Sequence, residues 1–463
     1  MDPIDAARVR EASAVRPSTR QLAWQRLELY GFAHFGMNTM TDREWGTGHE
    51  DPALFAPEAF DADQWVAAFA AAGMRGLILT AKHHDGFCLW PSAVSGHTVA
   101  ASPWRGGGGD VVAEVAAACA RGGLRFGVYL SPWDRTEATY GTGTPYDDHF
   151  VAQLTELLTG YGPIFTVWLD GANGEGPDGR VQRYDWDRYY GVIRALQPDA
   201  VIAVCGPDVR WCGNEAGATR ADEWSVVPAS LLDAEGTASR SQQADDAAFS
   251  RQVRSDEDDL GSRRAIARSD QPLVWYPAEV NTSIRPGWFH HPAEDDRVRS
   301  ADELFELWRR SVGGNSTLLL NVPPTRDGLV HGVDAAALTG LGERVADFFA
   351  RQIATARAGE TLRWATAQRL EAVVLEEDIA HGQQIDDVVV ETAGDDGGFA
   401  AAARVHSVGY RRIVALPEAP VRALRVRVLQ ARGEVHLLPV RAIAHVHGSG
   451  DSGGVERPES PDP

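Results

Sequence analysis

Two acidic side chains stand out because glycines follow or flank them. In TVWLDGANGEG (Thr166 to Gly176) an apolar run leads directly into Asp170, and Glu215 lies in the glycine-flanked segment GNEAG. Two carboxyl groups can cleave a glycosidic bond when one acts as nucleophile or base and the other as proton donor. Simpler interpretations stay open from these residues alone, since Asp170 could cap the next helix and GNEAG could be a plain turn.

Histidines, further charged groups and aromatic rings follow the other predicted strands. Indole rings can pack on the CH faces of a sugar, and polar side chains can exchange hydrogen bonds with its hydroxyl groups. The pattern therefore favours a sugar-binding site. The candidates, besides the two carboxylates, are His34, Glu44, Trp45, His83, His84, Tyr129, Trp211, Glu279, Arg285 and Trp288.

A metal site is the alternative interpretation of the histidines. His83, His84 and Asp85 are consecutive, and His34 follows the first predicted strand. Adjacent residues of a strand point to opposite faces, so His83 and His84 would not converge on one ion from a regular strand. We therefore expect no metal ion and no other cofactor.

Apolar runs that alternate with amphipathic segments must position these side chains. GLILTAKHH (Gly76 to His84) and LRFGVYLSPWD (Leu124 to Asp134) are typical of buried parallel strands, with the helix DVVAEVAAACARGG between them. About eight such units suit an α/β fold of the (β/α)8-barrel type, whose working residues lie at the carboxyl ends of the strands. A doubly wound open sheet is the alternative, but HFGMNTMTDREWG is not the glycine fingerprint that it favours.

The later strands are less sharply marked. We predict strands over TRADEWSVV (Thr219 to Val227), PLVWYPAEV (Pro272 to Val280) and STLLLNVPP (Ser316 to Pro324). The segment VRWCGNEAG is expected to follow the fifth strand as a loop. With the seventh strand ending at Val280, Glu279 would lie at its carboxyl end, beside the other candidates.

Changes in composition divide the chain. Residues 233–268 are rich in Ala, Ser, Asp and Arg and indicate an exposed insertion, while alternation with turn signals after residue 354 indicates an antiparallel β-sandwich. We predict an N-terminal extension (1–25), a catalytic barrel (26–354) with that insertion, a β-sandwich (355–446) and a disordered tail (447–463).

The net charge and the cysteines indicate which kinds of partner and which cellular compartment to expect. A formal net charge of -21 disfavours nucleic acids and anionic membrane surfaces. The four cysteines form no CxxC pair, and we expect free, buried thiols. With no apolar signal segment at the start and no stretch of about 20 apolar residues, we expect a cytoplasmic protein without a membrane partner. The oligomeric state stays open.

Several segments together resemble one known family. They are similar to motifs of the α-L-fucosidases of glycoside hydrolase family 29, and they occur in the order found there from about Tyr30 to Val330. Any one of them is a weak signal, whereas the ordered set is specific. The segments are GFAHFGMNTMTDREWG, ILTAKHHDGFCLWPS, GVYLSPWDR, FTVWLDGANGEG, WCGNEAGATRADEWSVVP, YPAEVNTSIRPGWFHHPAED and TLLLNVPPTRDGLV.

The resemblance implies retaining hydrolysis of a terminal α-L-fucose. The family's nucleophile matches Asp170, and its fucose-holding positions match His34, Glu44, Trp45, His83, His84 and Tyr129. The aromatic residue that closes the sugar pocket matches Trp288 or the neighbouring Phe289. The GNEAG segment, and HFGMN in place of the HWG of the broad-specificity group, resemble the subgroup selective for α-1,3/1,4-linked fucose. Glu215 would then be the acid/base, and the partner would be a fucosylated oligosaccharide. The alternatives are a broad-specificity α-L-fucosidase with Glu279 as acid/base and a non-catalytic glycan-binding protein.

Overall fold

The computed structural model describes residues 3–240, 259–357 and 359–446. The predicted tail (447–463) and residues 241–258 of the predicted insertion lie outside this part of the chain. No helix of the described part is long and apolar enough to cross a membrane.

Eight parallel strands form a nearly closed barrel, as the sequence predicts. Their order around the sheet is β5-β4-β3-β2-β1-β10-β9-β6. An isolated bridge between Ala203 and Val209 joins the two ends of that sheet. The barrel strands are β1 Leu29–Ala33, β2 Gly76–Lys82, β3 Arg125–Leu130, β4 Ile164–Leu169, β5 Val201–Val204, β6 Arg210–Trp211, β9 Ala278–Ser283 and β10 Thr317–Asn321.

Barrel strands such as β2 and β4 are almost continuous apolar runs because both of their faces are covered. All residues of β2 and β4 are buried. One face of a barrel strand meets the packed interior, and the other meets the surrounding helices, so neither face selects polar residues.

Most helices pack around the barrel, and several begin at a side-chain cap. Helix α5, for example, begins after Asp110, whose side chain accepts from the amide of Ala113, and ends at Gly123 with a positive φ of 75°. The helices are α1 Pro3–Ala14, α2 Thr19–Gln25, α3 Met37–Thr41, α4 Ala62–Ala71, α5 Val111–Gly122, α6 Thr144–Gly160, α7 Trp186–Leu196, α8 Ala234–Arg240, α9 Arg263–Ala267, α10 Ala301–Ser311 and α11 Gly332–Ala350.

Two of the predicted strands are placed differently by the structure. The sixth barrel strand is the short β6, inside the segment that we expected to be a loop. Most of the predicted strand Thr219 to Val227 is irregular, and only β7 (Val226–Pro228) pairs, antiparallel and outside the barrel, with β8 (Leu273–Trp275). The predicted strand Pro272 to Val280 is thus split, and β9 begins at Ala278, close to where we expected it to end.

The N-terminal extension closes the amino-terminal end of the barrel, which we call the floor. Helix α2 begins with a capping box between Ser18 and Gln21. The Gln21 amide donates to the carbonyl oxygens of Asp208 and Trp275, at 2.9 and 2.8 Å. These contacts fix α2 beneath the strands, and the buried Trp24 of α2 reaches the barrel interior.

A β-sandwich follows the barrel, as predicted. Its long strand β12 pairs with β16 through its first part and with β15 and β17 through its second, so it belongs to both antiparallel sheets. Valine and leucine side chains such as Val373, Val388 and Leu424 fill the space between the sheets. The strands are β11 Gln352–Ala356, β12 Thr361–Leu375, β13 Ile385–Ala393, β14 Phe399–Val405, β15 Arg412–Ala415, β16 Pro420–Ala431 and β17 Val440–Ala444.

Candidate active site

A cavity opens at the carboxyl ends of the barrel strands. Aromatic rings, imidazoles and two carboxylates surround it. Its lining residues are Phe32, His34, Trp45, His83, His84, Trp168, Asp170, Gly171, Ala172, Val204, Trp211, Glu215, Asn281 and Trp288. Eight of the twelve predicted site residues therefore share one cavity.

Asp170 follows β4 and is held by two hydrogen bonds. The Tyr129 hydroxyl donates to Oδ2 at 2.9 Å, and the backbone amide of Ala172 donates to Oδ1 at 2.7 Å. Burial, and next the nearby Asp170 carboxylate, raise the pKa of Tyr129 well above its ordinary value, so the phenol stays a neutral donor. Tyr129 itself is fully buried and contacts Asp170 rather than lining the cavity.

Glu215 reaches the same cavity from the loop after β6. Asn214 closes this loop as a turn, because its side-chain oxygen accepts from the amides of Ala216 and Ala218, each at 3.1 Å. The indole N–H of Trp288 donates to Glu215 Oε2 at 3.1 Å. GNEAG is therefore a turn, as one of the open interpretations held, and this turn carries a carboxylate into the cavity.

The tautomer of His34 follows from its partner. The Asn321 amide nitrogen donates to the carbonyl oxygen of Trp288 at 2.8 Å and to Ser283 Oγ at 3.0 Å. Its oxygen therefore faces His34 and accepts from Nδ1–H at 2.8 Å. The other ring nitrogen of His34, Nε2, is left as an acceptor.

His83 and His84 carry their protons on different nitrogens. The Asn38 amide nitrogen lies 3.2 Å from His83 Nδ1, which must accept, so the proton is on Nε2. The Ser131 hydroxyl donates to the carbonyl oxygen of Trp133, so it accepts from His84 Nδ1–H at 2.7 Å, and His84 Nε2 is an acceptor. The cavity thus offers both a ring N–H donor and ring acceptors to a polyol.

Burial keeps these three imidazoles neutral. It lowers the pKa of His34 to about 3 and that of His84 to about 4, and it lowers the pKa of His83 well below the ordinary value. Neutral imidazoles can both donate and accept, which suits sugar hydroxyl groups better than a cluster of cations would.

Comparison with known proteins identifies the family of this chain. The family profile described as alpha-L-fucosidase matches residues 28–347. The chain belongs to the alpha-L-fucosidase family. Relatives from rice and Arabidopsis thaliana are 44 % and 43 % identical over 342 residues, and the Arabidopsis protein is named alpha-L-fucosidase 1. These alignments cover 73 % of this chain and only 60 % and 62 % of the plant proteins.

Solved structures of the family superpose over nearly the whole chain. One from Bacteroides ovatus is 41 % identical with a TM-score of 0.86 and covers 100 % of this chain and 78 % of its own. A Ruminococcus gnavus GH29 fucosidase in complex with fucose is 26 % identical with a TM-score of 0.78, covering 94 % and 95 % of the two chains.

Four of the predicted site residues of this alpha-L-fucosidase family member do not line the cavity. Tyr129, described above, is one. Glu44 is the second, and its carboxylate accepts from the backbone amides of Trp288 and Phe289 and pairs with His291 Nε2 at 2.8 Å. That pairing raises the pKa of His291 to about 9. Glu44 therefore fixes the loop that carries Trp288.

The other two predicted site residues, Arg285 and Glu279, are bonded to other parts of the protein and do not line the cavity. Arg285 is fully buried, with Nε donating to Asp334 at 2.9 Å and Nη1 to Asp295 at 2.8 Å. Because both carboxylates bind the guanidinium, it is held in the protein interior and does not line the cavity.

Glu279 lies below the cavity, contrary to its predicted place at the rim. Because β9 begins at Ala278 and continues to Ser283, Glu279 is near the start of the strand, not near its end. It is fully buried, accepting from the Tyr30 hydroxyl and from Trp168 Nε1 at 2.9 Å. The alternative in which Glu279 donates a proton to a leaving group does not fit this position.

Phe32, Trp168 and Asn281 line the cavity of this family member but were not among the predicted site residues. Phe32 lies two positions before His34, and Trp168 lies two positions before Asp170. Side chains two apart on a strand share a face, so the alternation itself could have identified both. The Asn281 oxygen accepts from Trp211 Nε1 at 2.9 Å.

The cysteines and the possible metal ligands are also placed. All four cysteines are free and buried, as predicted. Within residues 3–240, 259–357 and 359–446, no group of three or more His, Cys, Asp or Glu side chains is arranged to hold a metal ion.

Proposed function

We propose that this chain is a retaining α-L-fucosidase with Asp170 as nucleophile and Glu215 as acid/base. The observation that carries the proposal is that these two carboxylates, 45 positions apart in the sequence, line one cavity with neutral imidazoles and indoles. The chain spans about 60 % of the length of the rice relative and 62 % of that of the Arabidopsis relative, so the activity of those whole proteins is only proposed for it.

In the first step an Asp170 oxygen bonds to the anomeric carbon of fucose while the glycosidic C–O bond breaks. The proton of Glu215 moves to the departing oxygen, so the aglycone leaves as a neutral alcohol. In the second step Glu215 takes a proton from water, and the resulting hydroxide oxygen bonds to the anomeric carbon. The ester C–O bond to Asp170 breaks, and the anomeric configuration is retained overall.

The surroundings of the two acids support these different roles. Asp170 accepts two hydrogen bonds, which fix the orientation of its carboxylate for attack. Glu215 sits on a loop and receives the Trp288 N–H, a contact that can be kept while its other oxygen meets the leaving group. A nucleophile and an acid/base need different surroundings, and these two carboxyl groups have them.

The rest of the cavity suits a small deoxy-sugar. His34 Nε2 and His84 Nε2 are acceptors and His83 Nε2 is a donor, so hydroxyl groups of either orientation find a partner. Phe32 and Trp168 offer apolar ring surface, which can contact the methyl group and the CH face of fucose.

For the linkage we propose α-1,3- and α-1,4-linked fucose on N-acetylglucosamine-containing glycans. The support is the resemblance of GNEAG, with Glu215 in it, to the corresponding loop of the selective subgroup. The test is incubation with fucosyl-α-1,3/1,4-N-acetylglucosamine oligosaccharides beside 2′-fucosyllactose and an aryl fucoside. Cleavage of the first class alone supports the activity and the subgroup, whereas cleavage of 2′-fucosyllactose at a similar rate contradicts the linkage. Release of no fucose from any substrate contradicts the function.

A further inference from the structure

Glu279 is a buried acid that the proposed mechanism does not use. Its side chain is fully buried inside the barrel, and no lysine, arginine or histidine of the described residues forms an ion pair with it. Its hydrogen bonds come from two neutral groups, Tyr30 and Trp168. Burying a carboxyl group without a cation is costly, and an apolar side chain could fill the same space. The position therefore calls for a specific role.

The hydrogen bonds around Glu279 all run toward it. The indole N–H of Trp24 donates to the Tyr30 hydroxyl oxygen at 2.9 Å, so the hydroxyl proton of Tyr30 is free to go to Glu279. From the opposite side the indole N–H of Trp168 donates to Glu279 Oε1 at 2.9 Å. We call these four residues the Glu279 network.

The network spans the barrel from one wall to the other. Glu279 is on β9, whereas Trp168 is on β4; around the nearly closed barrel, β10, β1, β2 and β3 separate these two strands on one side, and β6 and β5 on the other. The contact between them must therefore cross the interior below the cavity. It fixes the Trp168 indole, whose ring forms part of the cavity wall.

Trp168 in turn packs against the group that holds the proposed nucleophile. Trp168 and Tyr129 are paired neighbours on β4 and β3, and their rings stack with centroids 5.4 Å apart. The Tyr129 hydroxyl donates to Asp170 Oδ2 at 2.9 Å. The path from Glu279 to Asp170 thus has one hydrogen bond, one ring contact and a second hydrogen bond.

We propose that Glu279 is a positioning residue that fixes the Trp168 indole and, through Tyr129, the orientation of Asp170. This role rests on the fucosidase function proposed above. It differs from an acid/base role, since Glu279 touches neither the cavity nor the substrate.

The residue type follows from the direction of the hydrogen bonds. A carboxylate is an acceptor at both oxygens, so it can meet the Tyr30 O–H and the Trp168 N–H at once. A glutamine would turn an NH₂ group toward one of these donors and leave it unsatisfied. A protonated carboxyl group would likewise turn its O–H toward one of these donors and leave that donor unsatisfied. Burial raises the pKa of Glu279 to about 7. The network should therefore loosen as the pH falls through neutrality.

The main experiment compares Glu279→Gln with Glu377→Gln. Glu377 is a matched control, because it is also buried, with burial raising its pKa to about 7, but it lies in the sandwich and accepts from three backbone amides. We expect Glu279→Gln to lower kcat/KM per folded molecule by roughly 10- to 100-fold, mainly through kcat, and Glu377→Gln to leave it unchanged. The folded fraction of each variant is measured by denaturant unfolding.

Three outcomes overturn the proposal. They are an unchanged kcat/KM in Glu279→Gln, an equal loss in Glu377→Gln, and additive losses in Glu279→Gln and Trp168→Phe. If the two residues act through one contact, the double variant should lose little more than either single one. Trp168→Phe also serves where Glu279→Gln does not fold, because it keeps the acid and removes the indole N–H donor together with part of the ring.

An activity-independent signal separates this proposal from the function on which it rests. In protein labelled with ¹⁵N-tryptophan, the indole signal lost in Trp168→Phe should titrate near pH 7, and it should not titrate in Glu279→Gln. The Trp133 indole donates to the carbonyl oxygen of Glu175 and serves as the control that stays constant. A Trp168 signal that is the same in the wild type and in Glu279→Gln at every pH overturns the role of Glu279. A titrating signal in a protein that neither cleaves fucosides nor binds L-fucose overturns the fucosidase function instead.

Discussion

The barrel contains two tyrosine–carboxylate pairs, one at its rim and one toward its floor. At the rim the Tyr129 hydroxyl donates to Asp170, and toward the floor the Tyr30 hydroxyl donates to Glu279. The phenols are equally buried, but Asp170 is partly exposed to the cavity whereas Glu279 has no exposed surface. The same pair of functional groups therefore gives a carboxylate that can meet a substrate and one that can only hold its neighbours.

The two pairs differ in exposure and not in the number of hydrogen bonds that each carboxylate accepts. The oxygens of Asp170 accept from Tyr129 and from the backbone amide of Ala172, and the carboxylate also lines the cavity. Both oxygens of Glu279 are taken by side chains from the opposite wall and from β1. A reactive carboxylate needs an accessible lone pair as well as a fixed position.

The largest expected effect is at the rim. Asp170→Asn removes the nucleophile and should lower kcat by roughly 10,000-fold or more, because no covalent intermediate can form. Binding of a fucoside should remain and can be measured by calorimetry. Asp178→Asn, an exposed carboxylate of the same loop paired with Arg180, is the control and should keep full activity. Retained hydrolysis by Asp170→Asn would remove Asp170 from the mechanism.

The second prediction concerns the proposed acid/base. Glu215→Ala should lower kcat/KM by roughly 100- to 10,000-fold on natural glycans and much less on aryl fucosides, whose leaving groups need no proton. Its kcat on aryl fucosides should still fall, because no base activates water in the second step. Azide should restore turnover of an aryl fucoside and yield fucosyl azide with retained configuration. Glu175→Ala is the control, since Glu175 does not line the cavity. Rescue by azide in Glu279→Ala, without rescue in Glu215→Ala, would assign the acid/base role to Glu279 and not to Glu215.

The third prediction tests whether Arg285 is committed to the interior. Arg285→Met leaves Asp334, which has no exposed side-chain surface, without its cation, and should lower the free energy of unfolding by about 3–5 kcal/mol. The KM of the folded protein should change little, because Arg285 does not line the cavity. An unchanged free energy of unfolding together with a greatly raised KM would show instead that Arg285 binds substrate.

The smallest effect is on the pH dependence of stability. Burial lowers the pKa of His84 to about 4, so between about pH 4 and 6.5 the unfolded chain binds the proton and the folded protein does not. This group therefore makes stability rise with pH through that window. In His84→Asn the rise should be smaller than in wild type, while exposed His49→Asn should match wild type in denaturant unfolding at several pH values. Parallel curves for His84→Asn and wild type would contradict a neutral His84.

Local patterns in the sequence were sufficient for much of the architecture and part of the site. Continuous apolar runs such as Gly76 to Lys82 form strands because both sheet faces are covered, and Asp170 sits at the rim because it directly follows such a run. Trp168 and Phe32 were within reach of the same reasoning, since they share a strand face with Asp170 and His34.

Other residues could be assigned only from the folded chain. Whether Glu279 is at the rim or inside depends on where β9 begins, and β9 begins at Ala278 because the preceding residues pair with β7 outside the barrel. Arg285 belongs to the interior because Asp334, 49 positions away, lies beside it. The sequence by itself determined which chemical groups are present and which follow apolar strands. Only the tertiary structure decided which of them meet solvent, because contacts between distant segments set the burial of a side chain, and its own neighbours in the chain do not.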